Sequence, residues 1–341
     1  MPMRLRTLAL ALALVAATSP AGAQGAPARS AARATRAAPV LFVSNEGSNS
    51  ITVLSVSGDT VLDTIAVGQR PRGMALSPNG GRVYVALGRD NAVGVVDVAT
   101  RRVLAKIPVG RDPEQVTISP NGRTIYVSNE ESSAATAVDV ATRRKRFTSR
   151  VGKEPEGVAL TPSGAKLYVT GETSNSVTVI DAKTGRVRRS IAVGARPRWV
   201  AFSPDGKRAY VTAENGGTMT VIDAVGDSVV QTITIGAPAD SVKPVGVVVS
   251  PDGREAYVVT GRGREAVFVD LARGAIVDRV PIGQRPWGIA LSPDGRRLYT
   301  ADGRSGAVSV IDVQSRKVLA TPKVGERPYG VLYVGAGAAG R

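Results

Sequence analysis

Neither cysteine nor histidine occurs anywhere in the 341 residues. Without thiolate or imidazole there is no Cys/His zinc site, no Ser-His-Asp or Cys-His nucleophile and no His-ligated haem, so most familiar catalytic mechanisms are excluded. Missing cysteines also exclude disulfides, as suits an exported protein that avoids thiol oxidation. Aromatic residues make up only 4 % of the chain, which leaves β-branched aliphatics to build the core. No apolar run reaches the roughly 18 residues that a membrane-spanning helix needs.

The first residues, "MPMRLRTLALALALVAATSPAGAQG", combine Arg4 and Arg6, an apolar run from Leu8 to Ala17, and the small-residue site Ala21-Gly22-Ala23. This pattern predicts a secretory signal peptide over 1–23. A flexible basic linker is expected over 24–39, a folded domain over 40–335 and a short tail over 336–341. The protein is therefore expected to be exported, periplasmic or extracellular, and monomeric. Lys and Arg total 44 against 28 acidic residues, a formal charge of +16, which attracts anions.

Abundant glycine and proline punctuate an internal repeat. The turn Ser/Thr-Pro-x-Gly recurs at Pro78, Pro120, Pro162, Pro204, Pro251 and Pro293, at intervals of 42, 42, 42, 47 and 42 residues. Each unit carries four short β-branched stretches separated by turn residues, as in "GVAL", "KLYVT", "SVTVID" and "RVRRSIAV" of the third. Four strands at a period near 42 predict an all-β, seven-bladed β-propeller of four-stranded antiparallel blades. The pattern starts with three strands lacking a first ("VLFVSN", "SITVLSV", "TVLDTIAV") and finishes with a lone first strand, "PYGVLYV". These fragments complete one another and predict a mixed N-/C-terminal blade that closes the ring.

The tetrapeptides Tyr126-Val127-Ser128-Asn129, Phe42-Val43-Ser44-Asn45 and Tyr168-Val169-Thr170-Gly171, together with "VTVIDAKTGRV" and "GVALTPSG", resemble the YVTN-family β-propeller repeat proteins over residues 40 to 334. That resemblance implies an exported or cell-surface seven-bladed propeller, similar in shape to haem d1 and quinoprotein-like propellers. It implies shape far more than activity.

Repeated residues read as scaffold. An Asp ends the third strand at Asp97, Asp139, Asp181, Asp223, Asp270 and Asp312, where it is expected to accept turn N–H groups rather than to catalyse. Function is sought where the copies disagree. Flanking the proline that opens each first strand, the preceding residues are Arg70, Asp112, Glu154, Arg196, Lys243, Arg285 and Arg327; the following ones are Arg72, Glu114, Glu156, Arg198, Val245, Trp287 and Tyr329. Two adjacent blades form an acidic sector and the others a basic arc, with Trp199, Trp287 and Tyr329 beside it. Arginines and aromatics at a channel mouth suit a planar or anionic ligand.

Outer loops offer further oxygens at Asn45, Glu46, Asp90, Asn91, Glu130, Glu131, Glu172, Glu214, Asn215 and Asp302, but without the alternating spacing of a calcium loop, so no metal is expected. Gly261 to Arg264 (GRGR) is not followed by a helix and is not a phosphate loop. The basic run 142–147 reads as a solvated rim. The residues thus point to a binding platform for an anionic small molecule, a glycan or a protein, with no cofactor and no physiological nucleic acid. The alternative is a lactonase- or quinoprotein-like enzyme using carboxylates such as Glu154 or Glu156, each raising the other's pKa.

Overall fold

Runs of valine and isoleucine separated by Pro-x-Gly turns fold as their spacing predicts. The computed structural model describes residues 38–56, 60–237 and 239–335. The expected signal peptide, nearly all of the expected linker and the tail lie outside the described residues. Seven four-stranded antiparallel sheets form the blades. Blades I to VI span 71–108, 113–150, 155–192, 197–234, 244–281 and 286–320, and blade VII joins 328–334 to 40–66. In blade VII the C-terminal strand Pro328–Val334 pairs antiparallel with Val40–Asn45, so the ring closes through its two ends as expected.

The core is seven apolar layers, one between each pair of neighbouring blades. Between blades I and II, for example, Tyr84, Val93, Val95 and Ile107 meet Val116, Ile125, Val127 and Val138. Second and third strands are buried almost throughout, whereas outer strands alternate and anchor themselves through one buried residue, such as Ile65, Ile107, Ile191 or Ile233. Burying one such side chain contributes about 1.5–3 kcal/mol.

The repeated Asp residues act as the sequence predicts. Asp97 accepts from the backbone N–H and hydroxyl of Thr100, both at 2.8 Å, and Asp139, Asp181 and Asp312 repeat the arrangement with Thr142, Thr184 and Ser315. These bonds lower the carboxyl pKa of Asp97, Asp139 and Asp312, by backbone donation foremost.

Two backbone features build the channel mouth. All seven residues before the opening prolines are left-handed, with φ between 50° and 60°, from Arg327 to Arg196. In blades I to VI the first strand then slips register against the second, as between Pro71 and Met74. Such a bulge re-aims local side chains, and here it accompanies the inward placement of the residue after each proline. No helix among the described residues is long and apolar enough to cross a membrane.

Candidate functional site

The residues that follow the prolines meet at the ring centre and fill it. Arg72 donates to Glu114 and lies 3.8 Å from Glu156. Arg198 donates to Glu156 and Glu172, and its Nε reaches Glu214 at 2.6 Å. Tyr329 packs on Trp287 with centroids 5.5 Å apart, lies under the Arg72 guanidinium at 4.5 Å, and directs its hydroxyl towards Glu156 at 3.4 Å. Glu114, Glu156, Arg198 and Tyr329 are all buried. This layer is a plug of paired charges and stacked rings, in which removing one partner strands a buried charge.

Pairing corrects the expectation of a free basic arc. Arg70, Arg72 and Arg198 spend their charge on Asp112, Glu114 and Glu156, so the basic and acidic sectors are largely each other's partners. Trp199 leaves the mouth altogether. It packs against the apolar layer between blades IV and V, beside Tyr210 and Met219, because strand alternation turns it away from its neighbour Arg198. Glu154 is exposed and accepts from the Thr173 hydroxyl, whereas Glu156 is buried between arginines. Arg327 is exposed. The loop carboxylates Glu46, Glu172 and Glu214, expected on outer loops, instead turn into the mouth and contact Arg70, Arg196 and Arg198.

Carboxylate oxygens of Asp112, Glu114 and Glu130 lie within 4.8 Å of one another, close enough to hold a cation. Arg70 supplies that cation from within the chain: it donates to Asp112, lies 3.2 Å from Glu114 and 4.0 Å from Glu130, and also reaches Glu46 at 3.5 Å. Burial pushes the Glu114 carboxyl well above its usual range; Arg72 and Arg70 oppose the shift while Glu156 and Glu130 reinforce it.

On the far side of the same mouth is a cleft of about 430 Å³ lined by Arg196, Lys243, Arg262, Arg264, Arg285 and Arg304, with Glu214, Gln284 and Gly261 between them. Arg285 stacks on Trp287 at 4.2 Å and reaches Glu214 at 3.1 Å. Burial would raise the Glu214 carboxyl, but Arg198, Arg285 and Arg196 outweigh it and hold the group below its usual range. The side chains of Arg264 and Arg304 have no acidic partner among the described residues.

The five-residue insertion shapes one wall. It forms a single helical turn, Ala239–Val242, whose buried Val242 packs against Gly236 and whose carbonyl accepts from the N–H groups of Arg262 and Gly263. Of the cleft cations, Arg196, Lys243 and Arg285 were legible in the sequence. Arg262 and Arg264 were read only as part of a stretch that is not a phosphate loop, and Arg304 was missed; the clearest signal was at Arg264, where the other copies carry Asn, Ser or Gly.

Among solved structures, a hydrazine synthase chain of Kuenenia stuttgartiensis is 27 % identical, with a TM-score of 0.74 over 80 % of this chain and 92 % of that one. A functionally unknown protein from Desulfotomaculum acetoxidans (18 %, TM-score 0.76, 87 % and 99 % covered) and a Lactobacillus plantarum protein (17 %, TM-score 0.75, 86 % and 98 % covered) share the fold. No curated protein matches the sequence. The family described as "Lactonase, 7-bladed beta-propeller" matches residues 4–108, 105–192 and 183–329, and with that coverage the chain belongs to the seven-bladed lactonase β-propeller family.

Proposed function

We propose that the protein binds a small anionic molecule in the cationic cleft of the channel mouth, and that it meets this ligand outside the cytoplasm. The carrying observation is the cleft itself: six cationic side chains line about 430 Å³ of space, and among the described residues Glu214 is the one carboxylate that lines it with them. Convergent guanidinium groups recognise carboxylate and phosphate through paired hydrogen bonds. The export half of the reading rests on the pattern of residues 1–23 and the absence of cysteine.

Lactone hydrolysis is the second reading, favoured by the family. Arg285 and Arg196 would stabilise a developing oxyanion, and Glu214 is the carboxylate at hand. Its lowered pKa makes it a weak general base, which ranks binding first. Acid release from a panel of lactones, compared between wild type and Glu214→Gln, tests this reading; no turnover by wild type removes it.

Binding is tested by thermal shift with carboxylates, phosphates and sulfate, using neutral sugars as controls. A ligand at a hundred times its Kd adds about 2.7 kcal/mol. The double variant Arg264→Gln/Arg304→Gln should lose that gain, because both side chains face the cleft without neutralising a buried group. Arg196 and Arg285 are unsuitable for this test, since they balance buried Glu214. Anion stabilisation that persists undiminished in the double variant places the ligand elsewhere.

A further inference from the structure

The outer strand of each blade lies in a stretch of thirteen residues that runs from the residue after the third strand to the glycine of the next entry loop. In blades I, II and III, at 98–110, 140–152 and 182–194, these stretches hold three, five and four cations and no carboxylate. The other four together hold five cations and four carboxylates. A charge or two is enough to blunt a strand edge, and blade IV has only Asp227 in its stretch; twelve cations in three consecutive blades exceed that task. Such an arc repels itself and costs the fold stability, so its retention calls for counter-charge from outside the chain.

Three of the twelve are neutralised within the chain: Arg101 by Asp63 at 3.4 Å, Lys106 by Asp90 at 2.6 Å, and Arg188 by Asp181. Lys145, Arg146 and Arg189 donate to uncharged oxygens, those of the Val109 carbonyl, the Thr124 hydroxyl and the Gly226 carbonyl, and so keep their charge. Arg102, Arg143, Arg144, Arg150, Lys183 and Arg186 are exposed and have no acidic partner among the described residues. The repeat shows what blade II lacks. Arg101 and Arg316 reach back to the outer strand of the preceding blade, where each lies 3.4 Å from a carboxylate, Asp63 and Asp278. Arg143 occupies the same position with the same left-handed backbone, but the residue in the place of Asp63 and Asp278 is Ala105. The repeat's own neutralising acid is missing where the cations are densest. The three stretches are also tied together, since Lys145 bonds across to Val109 of blade I and the Ser149 hydroxyl to the Gly185 carbonyl of blade III at 2.6 Å.

We infer that the rim of blades I to III is a docking surface for a flexible acidic polysaccharide, which follows the arc and lays its carboxylate or sulfate groups against successive blades. Curvature selects among polyanions. The outward directions of blades I and III differ by two sevenths of a turn, so a planar bilayer meets one or two of the rims but never all three. Duplex DNA, with a persistence length of about 50 nm, is equally unable to follow the arc. Single-stranded nucleic acid bends readily but draws affinity from stacking on aromatic side chains. Phe147, the one aromatic residue in these three stretches, is half-buried against Tyr126 and Gly185. A sugar polymer needs only spaced charges and hydrogen-bond donors, which guanidinium groups supply together. None of these cations lines the channel-mouth cleft, and the two sites stand or fall separately.

Calorimetric titration with polygalacturonate, dextran sulfate and uncharged dextran, beside phosphatidylglycerol vesicles and single- and double-stranded DNA, tests this at about 0.1 M salt, where weak surface attraction is screened. Polygalacturonate or dextran sulfate should bind at least about tenfold more tightly, per anionic group, than vesicles or either DNA, and uncharged dextran should not bind. The triple variant Arg143→Gly/Arg144→Ser/Arg150→Ala gives blade II the residues that other blades carry at these places, Gly185, Ser228 and Ala192, so the fold is kept. It should weaken the acidic polysaccharide at least about tenfold and flatten its salt dependence. Ala105→Asp, which restores the acid facing Arg143, should weaken it about threefold. The cleft variant Arg264→Gln/Arg304→Gln should leave it within about twofold. Vesicles or DNA binding as tightly as the polysaccharides, an unchanged affinity in the triple variant, or failure of both acidic polysaccharides to bind overturns the inference. Each leaves the cleft reading untouched.

Discussion

Asp302 in blade VI occupies the position of Asn45 in blade VII and Asn129 in blade II. Asn129 accepts from the N–H of Gly110 and donates to the Thr136 hydroxyl, satisfying both ends of its amide. Asp302 accepts from the hydroxyls of Thr300 at 2.8 Å and Ser309 at 2.6 Å while fully buried. Desolvation raises its pKa to about 6 against those hydrogen bonds. The folded state therefore holds this proton more tightly than the unfolded chain does. The group's contribution is most favourable below about pH 4 and is lost as pH rises to about 6, by about 3 kcal/mol in full. Replacing it with the amide used by two other blades should remove this dependence: Asp302→Asn should be more stable than wild type at pH 7 and no more stable at pH 4, as denaturant midpoints at the two values would show. A wild-type advantage at pH 7 would mean that the carboxylate is better compensated than its contacts indicate. Sequence reading placed Asp302 on an outer loop, whereas it ends the strand Arg297–Asp302, because burial is invisible to a residue-by-residue comparison.

At the scale of elements, the outer strands carry the burden of remaining unpaired at the rim. Most hold a charge, such as Asp63, Lys106 or Arg189, which discourages edge-to-edge pairing. Ser228–Thr234 of blade IV, "SVVQTIT", holds none and exposes Val229 and Val230 next to the still more exposed Val225 of its turn. Val230→Lys should reduce any concentration-dependent association in sedimentation velocity while shifting the melting midpoint by no more than about 1 °C. Association unaffected by this change would assign it to another surface. Strands and turns were legible in the sequence, since alternation and Pro-x-Gly spacing act locally. The first-strand bulge was not, as it appears only when the second strand is paired beside it.

For the molecule as a whole, closure of the ring is the cooperative event. Val40–Asn45 pairs on one side with Ser50–Ser55 and on the other with Pro328–Val334, and Tyr329 from that last strand completes the central plug against Trp287 and Glu156. Truncation before residue 328 should abolish a single sharp melting transition rather than merely lower it, because it bares a strand edge and opens the charged plug together; a sharp transition in scanning calorimetry would show that six blades and three strands suffice. The mouth itself is two-sided. Carboxylates gather around Arg70 on one side, and cations surround Glu214 on the other.

The sequence by itself determined the blade count, the strand order, the closing blade and the structural role of the repeated Asp residues, because each follows from contacts local to a blade or from a period of 42. It also marked Arg196, Lys243 and Arg285 as positions where the copies diverge. Tertiary structure alone decided which charges remain available. Arg72 and Arg198 were read into the same basic arc as Arg285, yet the ring brings Glu114, Glu156 and Glu172 against the first two, while among the described residues the cleft around Arg285 is lined by more cations than carboxylates. Charge balance at this channel mouth depends on residues up to two blades apart, such as Arg72 with Glu156 and Arg285 with Glu214, which only the assembled ring sets side by side.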